Sequence, residues 1–163
     1  MRLFLSLSVL SCISTMCFGE TPTAPPKQTV VFVCEHGSAK SVIAAADFNR
    51  IAESKGLPYR AVSRGVHPDA EVPENIKSGL LSDGFSDKPA KPKLIADDDF
   101  SSAFRIVTLG CALPDGSSSL ADHKEDWANL PAMSDGYRQA RKAIVERVEK
   151  LVEDLSDKQT LQK

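Results

Sequence analysis

The stretch Cys34-Glu35-His36-Gly37-Ser38-Ala39-Lys40-Ser41 follows an apolar, β-branched run, Thr29-Val30-Val31-Phe32-Val33, and leads into an Ala-rich segment. A buried strand that enters a short loop and then a helix points several backbone N–H groups at one spot, and the helix dipole adds partial positive charge there. Such a place binds an oxyanion. It also favours the thiolate of a cysteine at its edge, the more so with the charge of Lys40 nearby. The chemistry implied is a Cys34 thiolate facing a phosphate-like group, with Glu35, His36, Gly37, Ser38, Ala39 and Lys40 around the anion. The alternative is a buried strand-end cysteine before a helix, which is common in α/β proteins.

The N-terminus is read as a separate unit. Arg2 is followed by the apolar run Leu3 to Leu10 and then by small and polar residues up to Gly19, the pattern of a signal peptide. The run is too short to span a bilayer. Cys17 and Gly19 place small residues where a signal peptidase reads, which leaves Glu20 as the new start. Val9-Leu10-Ser11-Cys12 is a rival lipoprotein site, weakened by the bulky Leu10, and a cytoplasmic chain with an apolar N-terminus is a third reading. The expectation is export, to the periplasm or the medium, with no stable membrane span in the mature chain. Cys12 and Cys17 then leave with the peptide, and the remaining pair, Cys34 and Cys111, is not a disulfide scaffold.

The 163 residues are 42% hydrophobic and 26% charged, which suits one globular domain with a sizeable core. Formal net charge is −2, and no basic run interleaved with aromatics occurs, so nucleic acid is not an expected partner. The expected organisation is a signal peptide over 1–19, a Pro-rich tether over 20–27, one domain over 28–157 and a fraying tail over 158–163.

Thr29 to Val33 lacks polar alternation, as expected of a central strand buried on both faces of a parallel sheet. Ser41 to Ser54 places Ile43, Ala44, Phe48, Ile51 and Ala52 on one helical face, with Lys55-Gly56 as the stop. Tyr59 to Ser63 reads as a strand ending at Gly65, and Val72-Pro73-Glu74-Asn75 opens a helix that runs to about Ser82. Pro89 and Pro92 break residues 85 to 97 into loop, followed by a helical turn starting among Asp97, Asp98 and Asp99. Those three acids read as helix capping and a solvated face rather than a cation site, because no ligand spacing follows. Arg105 to Leu109 is another buried strand ending at Gly110-Cys111, and a short strand is expected between Asp122 and Trp127. Tyr137, Ala140, Ile144, Val148, Leu151, Val152 and Leu155 mark the final helix. The βαβα alternation predicts an α/β fold with an open, four-stranded parallel sheet and helices on both faces.

Gly37-Ser38-Ala39-Lys40-Ser41 looks like the end of a nucleotide-binding P-loop, but Ala39 stands where that motif needs Gly and the upstream Gly is missing. A cysteine, five residues, a cation and a serine directly after a buried strand instead resemble the low-molecular-weight protein tyrosine phosphatases and the arsenate reductases that share their fold. The resemblance covers most of residues 29 to 156. Val62-Ser63-Arg64-Gly65-Val66 is similar to the family's Ser-Ala-Gly segment, Ile106 to Cys111 to the reductases' strand ending at a redox cysteine, and Glu125-Asp126-Trp127 with Pro131-Ala132 to the passage before the last helix. The resemblance implies a flavodoxin-like topology and Cys34 as the nucleophile attacking phosphorus or arsenic. By the same likeness Ser41 is the hydrogen-bond donor to the thiolate, Cys111 the resolving thiol of a reductase, and the substrate a phosphate- or arsenate-type oxyanion or a phosphorylated molecule. No cofactor is implied beyond a thiol reductant for a reductase.

The chain departs from that pattern in three places. Lys40 replaces the loop Arg and supplies charge without the planar fork that grips two oxygens. Gly37 stands where a loop-ordering Asn is usual. Leu130 precedes Pro131 where the general acid of Asp-Pro belongs, so Asp126 or Asp135 would have to be recruited. His36 lies in the loop, either aiding the anion or facing solvent, and His67 and His123 show no partner spacing. No metal pattern is present. Three readings follow: an exported phosphatase- or arsenate-reductase-like enzyme, an impaired domain that binds oxyanions or phosphoproteins, and a relic stapled by a Cys34–Cys111 disulfide.

Overall fold

The computed structural model describes residues 26–114 and 123–161. The expected signal peptide with Cys12 and Cys17, most of the tether, the loop beyond Pro114 and the last two residues lie outside them.

Four strands, β1 (Gln28–Cys34), β2 (Tyr59–Gly65), β3 (Arg105–Thr108) and β4 (Lys124–Asp126), form one sheet in the order β2-β1-β3-β4. All three pairings are parallel. The helices are α1 (Lys40–Ser54), α2 (Glu74–Ser82), α3 (Asp97–Ser102) and α4 (Tyr137–Leu161), with a 3₁₀ turn at Met133–Asp135. The elements follow the expected order, and α4 continues past residue 157. No helix among the described residues is long and apolar enough to cross a membrane.

Strand periodicity sorts the core into two layers. Val30, Phe32 and Cys34 of β1 and Val107 of β3 face α1, α2 and α4, where they pack with Ile43, Phe48, Ile76, Ile144 and Val148. Val31, Val33 and Ile106 face the other way, against Ile95 and Phe100 of the α3 side. β1 is therefore covered on both faces, as its unbroken apolar sequence requires. Phe32 sits edge-on to Phe48 at 5.8 Å and against Trp127 at 5.6 Å, which ties the segment after β4 to the strand that carries Cys34.

A charged clamp locks α1 to α4. Asp47 of α1 is fully buried and accepts from Arg141 of α4 at 2.7 Å and from Arg50. Arg141 also lies 3.1 Å from Asp83, which accepts from the Tyr137 hydroxyl at 2.7 Å. Burial pushes the Asp47 carboxyl above its usual range, against the pull of the two guanidinium groups. Of the three acids at the start of α3, Asp99 accepts from the Ala96 N–H at 3.1 Å, capping the helix, and from Arg64 Nε at 2.8 Å, tying it to β2.

Candidate active site

β1 ends at Cys34 and α1 begins at Lys40, so residues 35–39 must reverse the chain within one short loop. Gly37 makes this possible with φ +60. The segment after β2 holds the loop from outside: the N–H groups of Val66, His67 and Asp69 donate to the carbonyls of Cys34, Glu35 and His36 at 3.2, 2.8 and 3.0 Å. Ser38 is buried and its hydroxyl donates to Asp69 Oδ2.

The loop's carbonyls are thus taken by the segment after β2, while its amides are not. Among the described residues, none of the backbone N–H groups of residues 35–42 has a protein acceptor. Ala39, at the N-cap of α1, offers no side-chain cap, and the first turn of the helix carries no acid. Native structures pair nearly all buried N–H groups, so a ring of free donors at a helix N-terminus is an anion cradle. Cys34 is 7% exposed, and its Sγ lies 3.1 Å from Ser41 Oγ, its one side-chain hydrogen-bond partner among the described residues.

Lys40 stands beside this ring. Its Nζ donates to the Leu130 carbonyl at 3.5 Å and has no carboxylate partner among the described residues. Cys111 follows β3, beside β1, and its Sγ donates to the Val33 carbonyl at 3.5 Å, one residue before Cys34. Both thiols are free. Burial, then the neighbouring Cys34, push the Cys111 thiol up to about 11. Cys111 is thus a thiol at neutral pH, and its alkylation in a Cys34→Ser variant should rise about tenfold per pH unit between roughly pH 7 and 9. A flat profile measured by mass spectrometry would contradict this.

A family model described as low molecular weight phosphotyrosine protein phosphatase matches residues 29–125, from the first strand to the last. The chain belongs to that family. No curated protein gives a significant match. Among solved structures, YfkJ from Bacillus subtilis is similar with a TM-score of 0.71 at 20% identity, over 83% of this chain and 99% of that one. An arsenate reductase from Archaeoglobus fulgidus is 34% identical, with a TM-score of 0.59 over 76% of this chain and 98% of that one. The thioredoxin-dependent arsenate reductase from Corynebacterium glutamicum gives 0.65 at 24% identity, over 82% of this chain and 64% of that one.

Within this low molecular weight phosphatase fold, the residues expected to form the site divide into two groups. Cys34, the amides of residues 35–40, Lys40 and Ser41 belong to the loop and the start of α1, whereas Cys111 reaches the Val33 carbonyl from the opposite core layer, with Val31, Val33 and Ile106. Asp126 and Asp135 are engaged elsewhere, Asp126 accepting from Thr108 Oγ1 at 2.7 Å and Asp135 from the Ala132 N–H at 3.2 Å. The side chains of Glu35 and His36 turn to the rim, where Glu35 meets His67 at 2.8 Å and His36 lies 3.6 Å from Asp69. His67 therefore has a partner that spacing did not reveal, and His123 is exposed. Asp69 and Gly65 were the residues sequence reasoning missed as loop supports. Their contacts bridge 31 residues in the case of Ser38 and Asp69, and no local pattern marks them.

Proposed function

We propose that this chain performs thiol-dependent oxyanion chemistry of the arsenate-reductase type, with Cys34 as the nucleophile and Cys111 as the second thiol. The ring of unpaired amides around the Cys34 sulfur carries the reading, and the 34% identity to an arsenate reductase supports it. The amides and Lys40 hold the arsenate oxygens. The Cys34 thiolate forms an S–As bond while one oxygen, taking up a proton, departs as water. Cys111 then loses its proton and attacks Cys34 Sγ. An S–S bond forms, the S–As bond breaks with its electron pair left on arsenic, and arsenite departs. Arsenic gains the two electrons that the thiols lose, and an external thiol reductant restores the pair.

Hydrolysis of an alkyl or aryl phosphate needs more help for its leaving group. Leu130 stands where the family resemblance puts the general acid, and its absence typically costs on the order of 100- to 10,000-fold. The same absence, with Lys40 in place of a forked guanidinium, favours a second reading in which the loop only binds oxyanions. We place the protein outside the cytoplasm, from the signal-peptide pattern of residues 1–19. The assay is arsenite production from arsenate with dithiothreitol by the mature chain, purified from the exported fraction with Glu20 as its mass-defined N-terminus. Cys111→Ser should lower turnover about 100-fold or more while arsenate still raises the Tm. Turnover unchanged in Cys111→Ser overturns the relay. No arsenite from the wild type, with the Tm shift intact, establishes the binding reading.

A further inference from the structure

A groove of about 670 Å³, with none of residues 34–41 in its lining, lies between α1, the outer edge of β2 and residues 84–93. Its floor follows β2 from Arg60 to Arg64. The groove runs along five residues of that strand, about 16 Å, so a chain laid along it in extended form follows its floor.

β2 is an edge strand with its odd-numbered residues turned outward, and those at the groove are 61 and 63, with Gly65 just beyond. The Asn49 amide seals Ala61 completely, accepting from its N–H at 2.7 Å and donating to its carbonyl at 3.0 Å. Gly65 is sealed by the Lys93 carbonyl at 2.9 Å and the Ile95 N–H at 3.0 Å. Between Ala61 and Gly65 the Ser63 N–H is left without an acceptor among the described residues, while the Ser63 carbonyl accepts from Arg64 Nη1 at 2.9 Å. Strand addition therefore supplies little of the recognition.

Charge supplies the rest. Lys88, Lys91, Lys93 and Arg60 line the groove and pair with no carboxylate among the described residues, while Arg64 and Arg50 are matched by Asp99 and Asp47. Glu53 and Asp87 are the groove's acids. A chain with a net charge of −2 thus concentrates unpaired positive charge in one narrow slot. Single-stranded nucleic acid is a poorer match, because its affinity relies on stacking and the groove's single aromatic ring, Phe85, is covered by Arg50 at 4.2 Å.

We propose that this groove binds an extended acidic polypeptide segment of about five residues supplied by a partner protein. The probe is a fluorescein-labelled hexaglutamate peptide, with a Gly-Ser hexapeptide and a hexathymidylate as comparisons, followed by anisotropy on the full chain. Hexaglutamate should bind best, weaken on going from about 50 to 200 mM salt, and bind Cys34→Ser as it binds the wild type. The triple variant Lys88→Glu/Lys91→Glu/Lys93→Glu should lose about tenfold or more in affinity, and its Lys→Gln counterpart less. All three lysines are exposed, so an unchanged Tm certifies the fold of both variants. Absent hexaglutamate binding, equal binding of the Gly-Ser peptide, tighter binding of hexathymidylate, or indifference to the triple variant would each overturn the proposal. None of these outcomes bears on Cys34 chemistry, which the arsenite assay reads separately.

Discussion

Cys34→Ser should lower arsenate turnover by a factor on the order of 10⁴ or more, because no second sulfur among the described residues is placed to take over the covalent step. Cys111 cannot substitute: it lies behind β1's end with its proton aimed at the Val33 carbonyl, and burial keeps it protonated near neutral pH. Arsenate should still stabilise the variant thermally, since the amides of residues 35–42 belong to the backbone and survive the change. Lys40→Arg in the same series should tighten arsenate binding by providing two parallel donors where Lys40 provides a point charge. Turnover retained in Cys34→Ser, measured as arsenite released, would remove Cys34 from the reaction altogether.

Gly65→Ala should cost about 2–4 kcal/mol of stability and lower the Tm by on the order of 10 °C, together with the protection of Cys34 from alkylation by arsenate. A Cβ on Gly65 would meet the Gly37 nitrogen at 2.7 Å and the His36 carbonyl carbon at 2.8 Å. Both are backbone atoms of the oxyanion loop, so no side chain can swing aside and the loop must move. Gly37 presents the mirror case, with a Cβ 2.7 Å from the Gly65 nitrogen and a φ of +60 that disfavours any L side chain. Gly56→Ala is the control: its φ is +63 but nothing lies within 4 Å, so only the conformational term of about 1 kcal/mol applies. Calorimetry and iodoacetamide protection decide the matter. A Gly65→Ala protein as stable and as well protected as the wild type would show that the two glycines do not brace the loop.

The two glycines also show what was legible from the chain alone. Gly37 lay inside a recognisable motif, whereas Gly65 belonged to a segment whose likeness to the family gave no hint that the two backbones touch. The rim behaves the same way. His67 showed no ligand or partner spacing, yet it lies 2.8 Å from Glu35 because the carbonyl–amide pairs of the loop and the segment after β2 bring them side by side. Asp126 and Asp135, the acids that would have to be recruited where Leu130 replaces the Asp of Asp-Pro, have other partners, Thr108 and the Ala132 N–H.

The sequence by itself determined the order of the elements, the burial of β1 on both faces and the place of the oxyanion loop. Each of these rests on local physics: an apolar run without alternation, a helix face with a repeat of 3.6, and a loop too short to satisfy its own amides. Only the tertiary structure decided which carbonyls hold that loop open, which thiol lies behind Cys34, and where the uncompensated lysines gather beside β2. Those outcomes depend on contacts between residues 31 to 90 positions apart, such as Ser38 with Asp69 and Lys40 with Leu130. Those contacts follow from how the parallel strands align, and β1, apolar on both faces, carries no alternation to fix that alignment.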